Sequence, residues 1–290
     1  MNAFQVLEPE TVEEAVHLLG DSEEVVRPIA GGTALMLMLR SGVFQPDTLV
    51  SLQRVDGLTG IRQDGDELQI GAMTSLSALE RSAKVRSFFP VISRTLSILS
   101  TVQVRNLATI GGHLAHGDPH RDLPPVLLTL DARVEVTGLG GPRWMPLEEL
   151  FIGYYKTSLA PDELLTCVAI PVPPTDSAAA YHKHTAFTSK DWPAVGVAAY
   201  ITRSDGRLSA VRIAVGAATE MPVRLASVEK ALINQTFTDG LIDEAAALAA
   251  EEIDPLADLR GSAAYKREMV RVHIRRALIS VRSSLNLGDA

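Results

Sequence analysis

Hydrophobic positions near the start of the chain recur every three or four residues, a pattern that predicts an amphipathic helix. Thr11 is placed to cap its first turn, and Glu14 stands three residues further on, as in a capping box. The apolar face consists of Val12, Ala15, Val16 and Leu19. Residues 25–30 then form an apolar run that predicts a buried strand, and the pattern turns helical again over residues 34–39.

The middle of the chain alternates between predicted strands and predicted helices. Apolar runs bounded by turn residues predict buried strands, and a strict alternation predicts an exposed one. Strands are predicted over residues 47–53 and 68–72, a buried strand over residues 163–171 and an exposed strand over residues 133–138. Helical spacing predicts helices over residues 74–83 and 88–100. Mixed elements of this kind indicate an α+β fold.

A proline-rich stretch, PVPPTDS at residues 171–177, separates this part from the rest of the chain. Proline fixes the backbone and excludes regular structure, so we place a domain boundary there, between residues 1–175 and residues 176–290. The second domain is predicted to be smaller and α+β, with an antiparallel hairpin followed by helices. Its strands are residues 194–202 and 208–216, and its helices are residues 226–232, 241–253 and 263–285.

The last predicted helix carries both an apolar stripe and several arginines. The stripe consists of Met269, Val272, Ala277, Leu278 and Val281. The arginines are Arg271, Arg275, Arg276 and Arg282, and we interpret them as a solvated or subunit-facing surface.

Composition and charge narrow the class of protein. The chain has 290 residues, of which 46% are hydrophobic, enough for more than one packed unit. Its net charge of −8 argues against nucleic acid or an anionic membrane as the main partner. No apolar run reaches the roughly 18 residues of a spanning helix and no signal peptide is evident, so we expect a cytoplasmic protein without a transmembrane segment. The single cysteine, Cys167, excludes a four-cysteine iron–sulfur or zinc site within the chain.

Two glycine pairs stand beside threonines, at Gly31-Gly32-Thr33 and at Thr109-Ile110-Gly111-Gly112. The first lies between a predicted strand and a predicted helix, a geometry that directs backbone N–H groups at phosphate. Glycine lets a ligand approach the backbone, and a threonine hydroxyl can donate to an anionic oxygen. Neither motif matches the Rossmann fingerprint or the P-loop. Two such loops can hold the two ends of one diphosphate, and the alternative is that both are ordinary turns.

Four stretches together carry a resemblance to a known family. They are AGGT at residues 30–33, ATIGGHLAHGDPHRDLPP at 108–125, ELLTCVAIPVPP at 163–174 and YHK at 181–183. With these motifs the chain resembles the medium, FAD-binding subunits of the molybdenum hydroxylases, which include bacterial carbon monoxide dehydrogenase and the flavin domain of xanthine dehydrogenase. The resemblance implies a two-lobed FAD-binding domain of the PCMH/VAO-like type, followed by a C-terminal domain of the CO dehydrogenase flavoprotein type.

The resemblance also implies which residues bind FAD. The first pyrophosphate loop comprises Pro28, Ile29, Ala30, Gly31, Gly32, Thr33, Ala34 and Leu35. The second comprises Thr109, whose hydroxyl is expected to donate to the ligand, with Ile110, Gly111 and Gly112. The remaining expected contacts are Leu99 and Leu165 against the flavin, His113 where the family usually has asparagine, Asp118 and Asp122 of the DPxxDLP motif, and Lys183 and Trp192 near the isoalloxazine.

Three of these residues also allow ordinary structural roles. Asp122 is expected near the sugar and phosphate end of the cofactor, but it could instead cap the helix that follows. Lys183 is expected beside the isoalloxazine, where a positive charge favours the reduced, anionic flavin, but it could be a surface charge. Trp192 could be a core aromatic rather than a residue that flanks the ring.

The histidines around the second glycine motif raise the question of a metal site. His113, His116 and His120 have spacings of three and four, which would suit one face of a helix. Gly117-Asp118-Pro119 interrupts any such helix, so we predict no metal there.

The resemblance implies partners and a role in electron transfer. A large subunit is expected to hold molybdopterin, a small subunit to hold [2Fe–2S] clusters, and the assembly to be a dimer of heterotrimers. The medium subunit would take electrons from the [2Fe–2S] subunit at FAD and pass them to an external acceptor. The alternatives are a stand-alone flavin-dependent oxidoreductase and a flavin-free assembly protein of the same fold.

Overall fold

The computed structural model describes residues 4–20 and 25–285. The chain begins with a small parallel sheet whose strand order is β1-β3-β2. Its elements are β1 (Gln5–Leu7), α1 (Val12–Gly20), β2 (Val26–Ile29), α2 (Leu35–Ser41) and β3 (Thr48–Ser51). Thr11 caps α1 as predicted, because its Oγ1 accepts a hydrogen bond from Glu14 N at 3.1 Å. Only Val26 of β2 is buried, so the predicted buried strand is half open towards the glycine loop that follows.

The second lobe is an antiparallel sheet with helices on one side, and its strand order is β4-β5-β10-β6-β7. The strands are β4 (Ile61–Asp64), β5 (Glu67–Gly71), β6 (Arg133–Gly138), β7 (Gly141–Pro146) and β10 (Leu164–Pro171). A short hairpin, β8 (Phe151–Gly153) and β9 (Lys156–Thr157), precedes β10. β6 was predicted as an exposed strand, which is wrong: it pairs with β10 on one side and with β7 on the other, and Val134 and Val136 are fully buried.

The helices of the second lobe form a series of short segments. They are α3 (Leu76–Arg81), α4 (Ala83–Phe88), α5 (Pro90–Ile98), α6 (Val102–Leu107), α7 (Ile110–Ala115) and α8 (Leu123–Thr129). The helix predicted over residues 74–83 corresponds to α3, which begins at Leu76. Ser75 caps it, since Ser75 Oγ accepts from Ala78 N at 3.1 Å. The sequence pattern missed α6 and α7, because each has only six residues and too few turns to show a helical period.

The C-terminal domain is a four-stranded antiparallel sheet in chain order, followed by helices. Its elements are β11 (Ser177–His184), β12 (Val195–Ser204), β13 (Arg207–Gly216), β14 (Val223–Arg224), α9 (Ala226–Leu232), α10 (Asp239–Glu252) and α11 (Ala263–Ser284). Strands on the two sides of the proline-rich segment belong to different sheets, β10 to the second lobe and β11 to the C-terminal sheet. The boundary at residue 175 itself stays a prediction.

The buried face of α11 differs from the predicted stripe. Val270 and Ile274 are fully buried, whereas Val272 is only partly buried. The face also includes polar groups, since Lys266 and His273 lie inside. Arg282 was interpreted as a surface residue, which is wrong: its side chain is buried and lies 2.8 Å from Asp239.

Both faces of the C-terminal sheet are packed against helices, and α8 of the first domain packs on one of them. Ala198, Tyr200 and Ala214 point to α8 and belong to the same buried cluster as the helices of the second lobe. Their neighbours Val197 and Ala199 point the other way, into the cluster formed with α9, α10 and α11. Among the described residues, no helix is long and apolar enough to cross a membrane.

Candidate functional site

The first glycine motif connects β2 to α2, as the sequence predicted. Gly32 adopts a positive φ of 67°, which favours glycine. Within the described residues, no hydrogen bond occupies the backbone N–H groups of Gly31, Gly32 and Thr33. All three residues are partly exposed, so a ligand can reach this loop from the surface. Unused N–H groups at a strand-to-helix turn are the donors that phosphate oxygens need.

The second glycine motif is the start of helix α7 and not an open loop. Thr109 caps the helix, and its Oγ1 accepts from Gly112 N at 3.1 Å. Ile110 N donates to Thr74 O and Gly111 N to Ala72 O, at 3.0 and 2.8 Å. A ring of free N–H groups around phosphate is therefore not formed here. The hydroxyl proton of Thr109 stays available to donate, which keeps the expected role of that side chain open.

The two glycine motifs nevertheless lie side by side. A Cβ atom on Gly31 would stand 1.8 Å from Leu107 O, so the two backbones touch without room for a side chain. A Cβ on Gly112 would stand 3.2 Å from Ala30 Cβ. The structure thus brings together two stretches that are distant in sequence, and glycine is needed at the contact because the space is filled by backbone.

Asp122 and Lys183 form a buried ion pair. Lys183 Nζ donates to Asp122 Oδ2 at 3.1 Å, and the two side chains are 3% and 6% exposed. Tyr181 donates its hydroxyl to Asp122 Oδ1 at 2.8 Å. Burial raises the pKa of Asp122, and Lys183 and Tyr181 act in the opposite direction. Asp122 does occupy the N-cap position of α8, as the structural alternative expected, but its side chain makes no cap hydrogen bond. The alternative for Lys183, a surface charge, is wrong.

The ion pair also changes the roles expected for its two members. The resemblance placed Asp122 and Lys183 at different parts of the cofactor, but one hydrogen bond joins them. The positive charge of Lys183 is therefore balanced inside the protein. Sequence reasoning missed Tyr181, although strand alternation places residues 181 and 183 on the same face of β11 and could have found it.

Asp118 lies at the centre of a second polar cluster. Its Oδ1 accepts from His120 N and lies 3.2 Å from His120 Nδ1, and its Oδ2 lies 3.2 Å from Arg121. Burial alone would raise the pKa of Asp118, but the hydrogen bonds from His120 and the charge of Arg121 lower it to about 2. Asp118 is therefore ionised at neutral pH, and its carboxylate contacts His120 and Arg121 of the same segment.

His113 is buried on the inner face of α7, beside the glycine motif. Burial, together with the charge of Arg121, lowers its pKa well below the ordinary value, so the ring is neutral at pH 7. Its Nε2 is buried and has no hydrogen-bond partner among the described residues. His116 packs its ring edge-on against Tyr155, with centroids 5.2 Å apart. The part of the chain that the structure describes contains no group of three or more His, Cys, Asp or Glu arranged to hold a metal.

The three apolar and aromatic residues expected near the flavin have different surroundings. Leu99 and Leu165 are each 5% exposed and belong to the core of the second lobe. Trp192 is 46% exposed, so the alternative of a core aromatic is wrong. Arg260 lies over its ring, 5.6 Å from the centroid. The structure does not bring Trp192 into hydrogen-bond contact with the Asp122–Lys183 pair.

The opposite face of β11 holds a cluster of histidines against α11. His182 Nε2 lies 2.9 Å from Ser280 Oγ, and His184 Nε2 lies 2.8 Å from Tyr265 Oη. The His273 ring centroid is 6.3 Å from that of His182 and 5.3 Å from that of His184. Burial lowers the pKa of all three rings. For His273, burial together with electrostatic repulsion from His184, Arg276 and His182 lowers the pKa to about 4.

The protein should lose stability as the pH falls from about 6.5 towards about 4. An unfolded chain protonates His273 near 6.5, whereas the folded protein does so only near 4. Between these values the unfolded state binds more protons, so acid favours unfolding; above about 6.5 the residue contributes no dependence. Urea unfolding of wild type and His273→Phe at about pH 7.5 and about pH 5 measures the effect. The variant should show a weaker pH dependence, whereas His17→Gln, at an exposed position, should match wild type.

Two family models match the chain. The FAD binding domain in molybdopterin dehydrogenase matches residues 2–173, and the CO dehydrogenase flavoprotein C-terminal domain matches residues 179–281. The carbon monoxide dehydrogenase medium chain of Afipia carboxidovorans is 34% identical over 276 residues, which cover 95% of this chain and 96% of that one. The chain belongs to the FAD-binding medium subunits of the molybdenum hydroxylases.

Other members of the family agree in sequence and in structure. Subunit alpha of the 6-hydroxypseudooxynicotine dehydrogenase complex of Paenarthrobacter nicotinovorans is 34% identical, over 95% of this chain and 93% of that one. A chain of the carbon monoxide dehydrogenase from Hydrogenophaga pseudoflava superposes with a TM-score of 0.94 at 33% identity. The superposition covers 97% of this chain and 98% of that one. The predicted fold, an FAD-binding domain followed by an antiparallel sheet with helices, is confirmed.

Membership of the family makes the chain an oxidoreductase subunit whose cofactor is FAD. Its own residues fit that group. The first glycine loop offers unused N–H donors, and Gly31 lets the two motifs touch with no side chain between them. His113 holds a neutral ring with an unused nitrogen beside the second motif. Which of the expected residues touch FAD stays a prediction.

Proposed function

We propose that the chain is the electron-transfer subunit of a multi-subunit molybdenum hydroxylase. In this complex a large subunit carries molybdopterin and oxidises the substrate, and a small subunit carries [2Fe–2S] clusters. The medium subunit takes electrons from the [2Fe–2S] subunit at FAD and passes them to an external acceptor. The names of its relatives as medium chains and complex subunits support this division of labour. So does its single cysteine, since the chain has no ligand set for a cluster of its own.

One observation carries the proposal: the contact between the two glycine motifs beside a loop with unused N–H donors. In the proposed site, residues Ala30 to Thr33 bind the pyrophosphate through backbone donors. Thr109 adds its hydroxyl, and Gly112 keeps the facing surface of α7 free of side-chain bulk. Bound FAD supplies the redox chemistry, and the protein positions it.

The buried ion pair has a defined task in this proposal. Asp122 holds the ammonium group of Lys183 at one place, and Tyr181 fixes the orientation of the carboxylate. A lysine restrained in this way presents a fixed dipole with Asp122 rather than an isolated positive charge. It can therefore tune the flavin without leaving an unpaired charge in the protein interior.

The proposal extends to assembly and location. Two copies of each of three subunits would form a dimer of heterotrimers in the cytoplasm. Light scattering of the purified complex, with quantification of its subunits after denaturing electrophoresis, measures the stoichiometry. Cell fractionation measures the location.

Purification of the chain from its native source, with the proteins that accompany it, tests the function. The complex should show flavin absorbance and contain iron and molybdenum, and the substrate of the large subunit should reduce the flavin. Flavin without iron or molybdenum would instead identify a stand-alone flavoenzyme. A chain that binds no flavin in any assembly would be a flavin-free assembly protein, and the proposal would be wrong.

A further inference from the structure

The segment from Asp118 to Asp122 connects α7 to α8, and we call it the cofactor segment because two of the expected FAD contacts, Asp118 and Asp122, lie in it. The C-terminal domain holds this segment at several points. Pro119 O accepts from Ala217 N at 3.0 Å. Asp122 accepts from the side chains of β11 described above. His120 lies between these two attachments, with its side chain 8% exposed. The position of the segment therefore depends on contacts across the domain boundary.

His120 is placed between two carboxylates from different domains. Its Nδ1 lies 3.2 Å from Asp118 Oδ1, and its Nε2 lies 3.1 Å from Asp258 Oδ2. A carboxylate oxygen accepts and an imidazole N–H donates, so each nitrogen of the ring faces a hydrogen-bond acceptor. A hydrogen bond to an ionised carboxylate is stronger than one between two neutral groups. The imidazole thus joins the cofactor segment to the C-terminal domain by a directed contact rather than by packing alone.

Asp258 is itself fixed on its own domain. Lys266, which is 1% exposed, places its Nζ 2.9 Å from Asp258 Oδ2 and 3.1 Å from Ala217 O. Arg260 N donates to Asp258 Oδ1 at 2.8 Å. Because Ala217 N donates to Pro119 O, the contacts close into a ring: His120, Asp258, Lys266, Ala217 and back to the cofactor segment. A closed ring restrains the segment in more than one direction.

We propose that His120 is a positioning residue for the cofactor: through Asp258 and Lys266 it sets where the C-terminal domain holds the segment that carries Asp122. This inference rests on the proposed FAD site. Loss of the contact frees the middle of the segment, so that the Asp122–Lys183 pair and the end of α7 lose their fixed position relative to the first glycine loop. The effect is on cofactor binding and potential, beyond any effect on stability.

Another ionic link between the domains, remote from the cofactor segment, provides a matched control. Asp131, two residues after the end of α8, forms ion pairs with Arg212 and Arg224 of the C-terminal sheet. This link lies at the opposite end of α8 from His120. Asp131 has a φ of 53°, and asparagine tolerates that conformation, so Asp131→Asn removes the charge with little backbone strain.

The test compares FAD binding with stability in the full chain. Deflavinated wild type, His120→Ala, Asp258→Asn and Asp131→Asn are titrated with FAD, followed by flavin fluorescence, and unfolded in urea. His120→Ala and Asp258→Asn should raise the FAD dissociation constant about tenfold, the effect of losing one charge-assisted hydrogen bond. Their flavin midpoint potentials should become more negative, because Lys183 is less well fixed. Asp131→Asn should lower stability and leave both cofactor properties unchanged.

A rescue variant separates positioning from general damage. In His120→Gln/Asp258→Asn the two amides can donate and accept between the domains without charge. This double variant should bind FAD more tightly than His120→Ala. Wild-type affinity and potential in His120→Ala, or equal cofactor effects in Asp131→Asn, would overturn the inference. Failure of the wild type to bind FAD would count against the proposed function instead.

Discussion

Replacement of Gly31 by alanine should strip the protein of FAD. The new Cβ atom would stand 1.8 Å from Leu107 O, and backbone on both sides prevents a side chain from moving aside. The two glycine motifs must therefore separate by about 1 Å or more, which removes the close approach on which the proposed site depends. The FAD dissociation constant should rise about tenfold or more, which corresponds to about 1.4 kcal/mol of lost binding energy, and the flavin content after purification should fall with it.

Gly140→Ala is the matched control for this substitution. A Cβ on Gly140 meets nothing within 4 Å, and the residue needs no positive φ. This variant should keep its flavin. The ratio of flavin absorbance to protein absorbance measures both variants, and circular dichroism confirms that they are folded. A folded Gly31→Ala protein with full flavin content would show that the contact between the motifs is not part of the FAD site.

Lys183→Met should cause the largest loss of stability among single substitutions at the site. Methionine keeps the length of the side chain but leaves Asp122 buried with Tyr181 alone. Breaking a buried ion pair by removal of one partner typically costs about 3–5 kcal/mol, because a buried charge loses its compensation. Asp122 relieves part of that cost by taking up a proton, since burial already raises its pKa. The free energy of unfolding in urea, measured near neutral pH, gives the value.

Removal of the second charge should restore much of the lost stability. In Lys183→Met/Asp122→Asn no unpaired charge remains, and the asparagine can still accept from Tyr181. The exposed pair Arg271–Glu268 is the comparison, and Arg271→Ala should leave the unfolding midpoint close to wild type. If Lys183→Met unfolds at the same urea concentration as Arg271→Ala, the pair is solvated and does not hold the site together.

The sequence could predict those parts of the site that depend on local chemistry. A glycine loop between a strand and a helix is visible in the residue types, and the structure places Gly32 there with the positive φ that the turn requires. The second motif was harder to predict. Its residue types predict a ligand-facing threonine in a loop, yet Thr109 caps α7. The N–H groups of the next two residues are occupied as well, because they donate to the carbonyl groups of Thr74 and Ala72. Such tertiary acceptors have no signature within the motif itself.

Pairings across the domain boundary were beyond prediction for the same reason. Asp122 and Lys183 could be singled out separately, but nothing in the pattern of either stretch indicates that they bond to each other. His120 was considered only as a metal ligand, and its partner Asp258 was not singled out at all. Sequence periodicity reports which face of an element is apolar, whereas a pairing between elements depends on how they pack.

The position of α8 between two sheets has a consequence for how the protein folds. This helix of the first domain packs on one face of the C-terminal sheet, against Ala198, Tyr200 and Ala214. A chain cut at the proline-rich segment would expose that face to water, and the first domain would lose the surface on which α8 rests. We therefore expect the two domains to unfold in one shared transition, because each would lose buried apolar surface if the other unfolded. On the same ground we expect the cofactor segment, which leads into α8, to reach its final position only when both halves of the chain have been made.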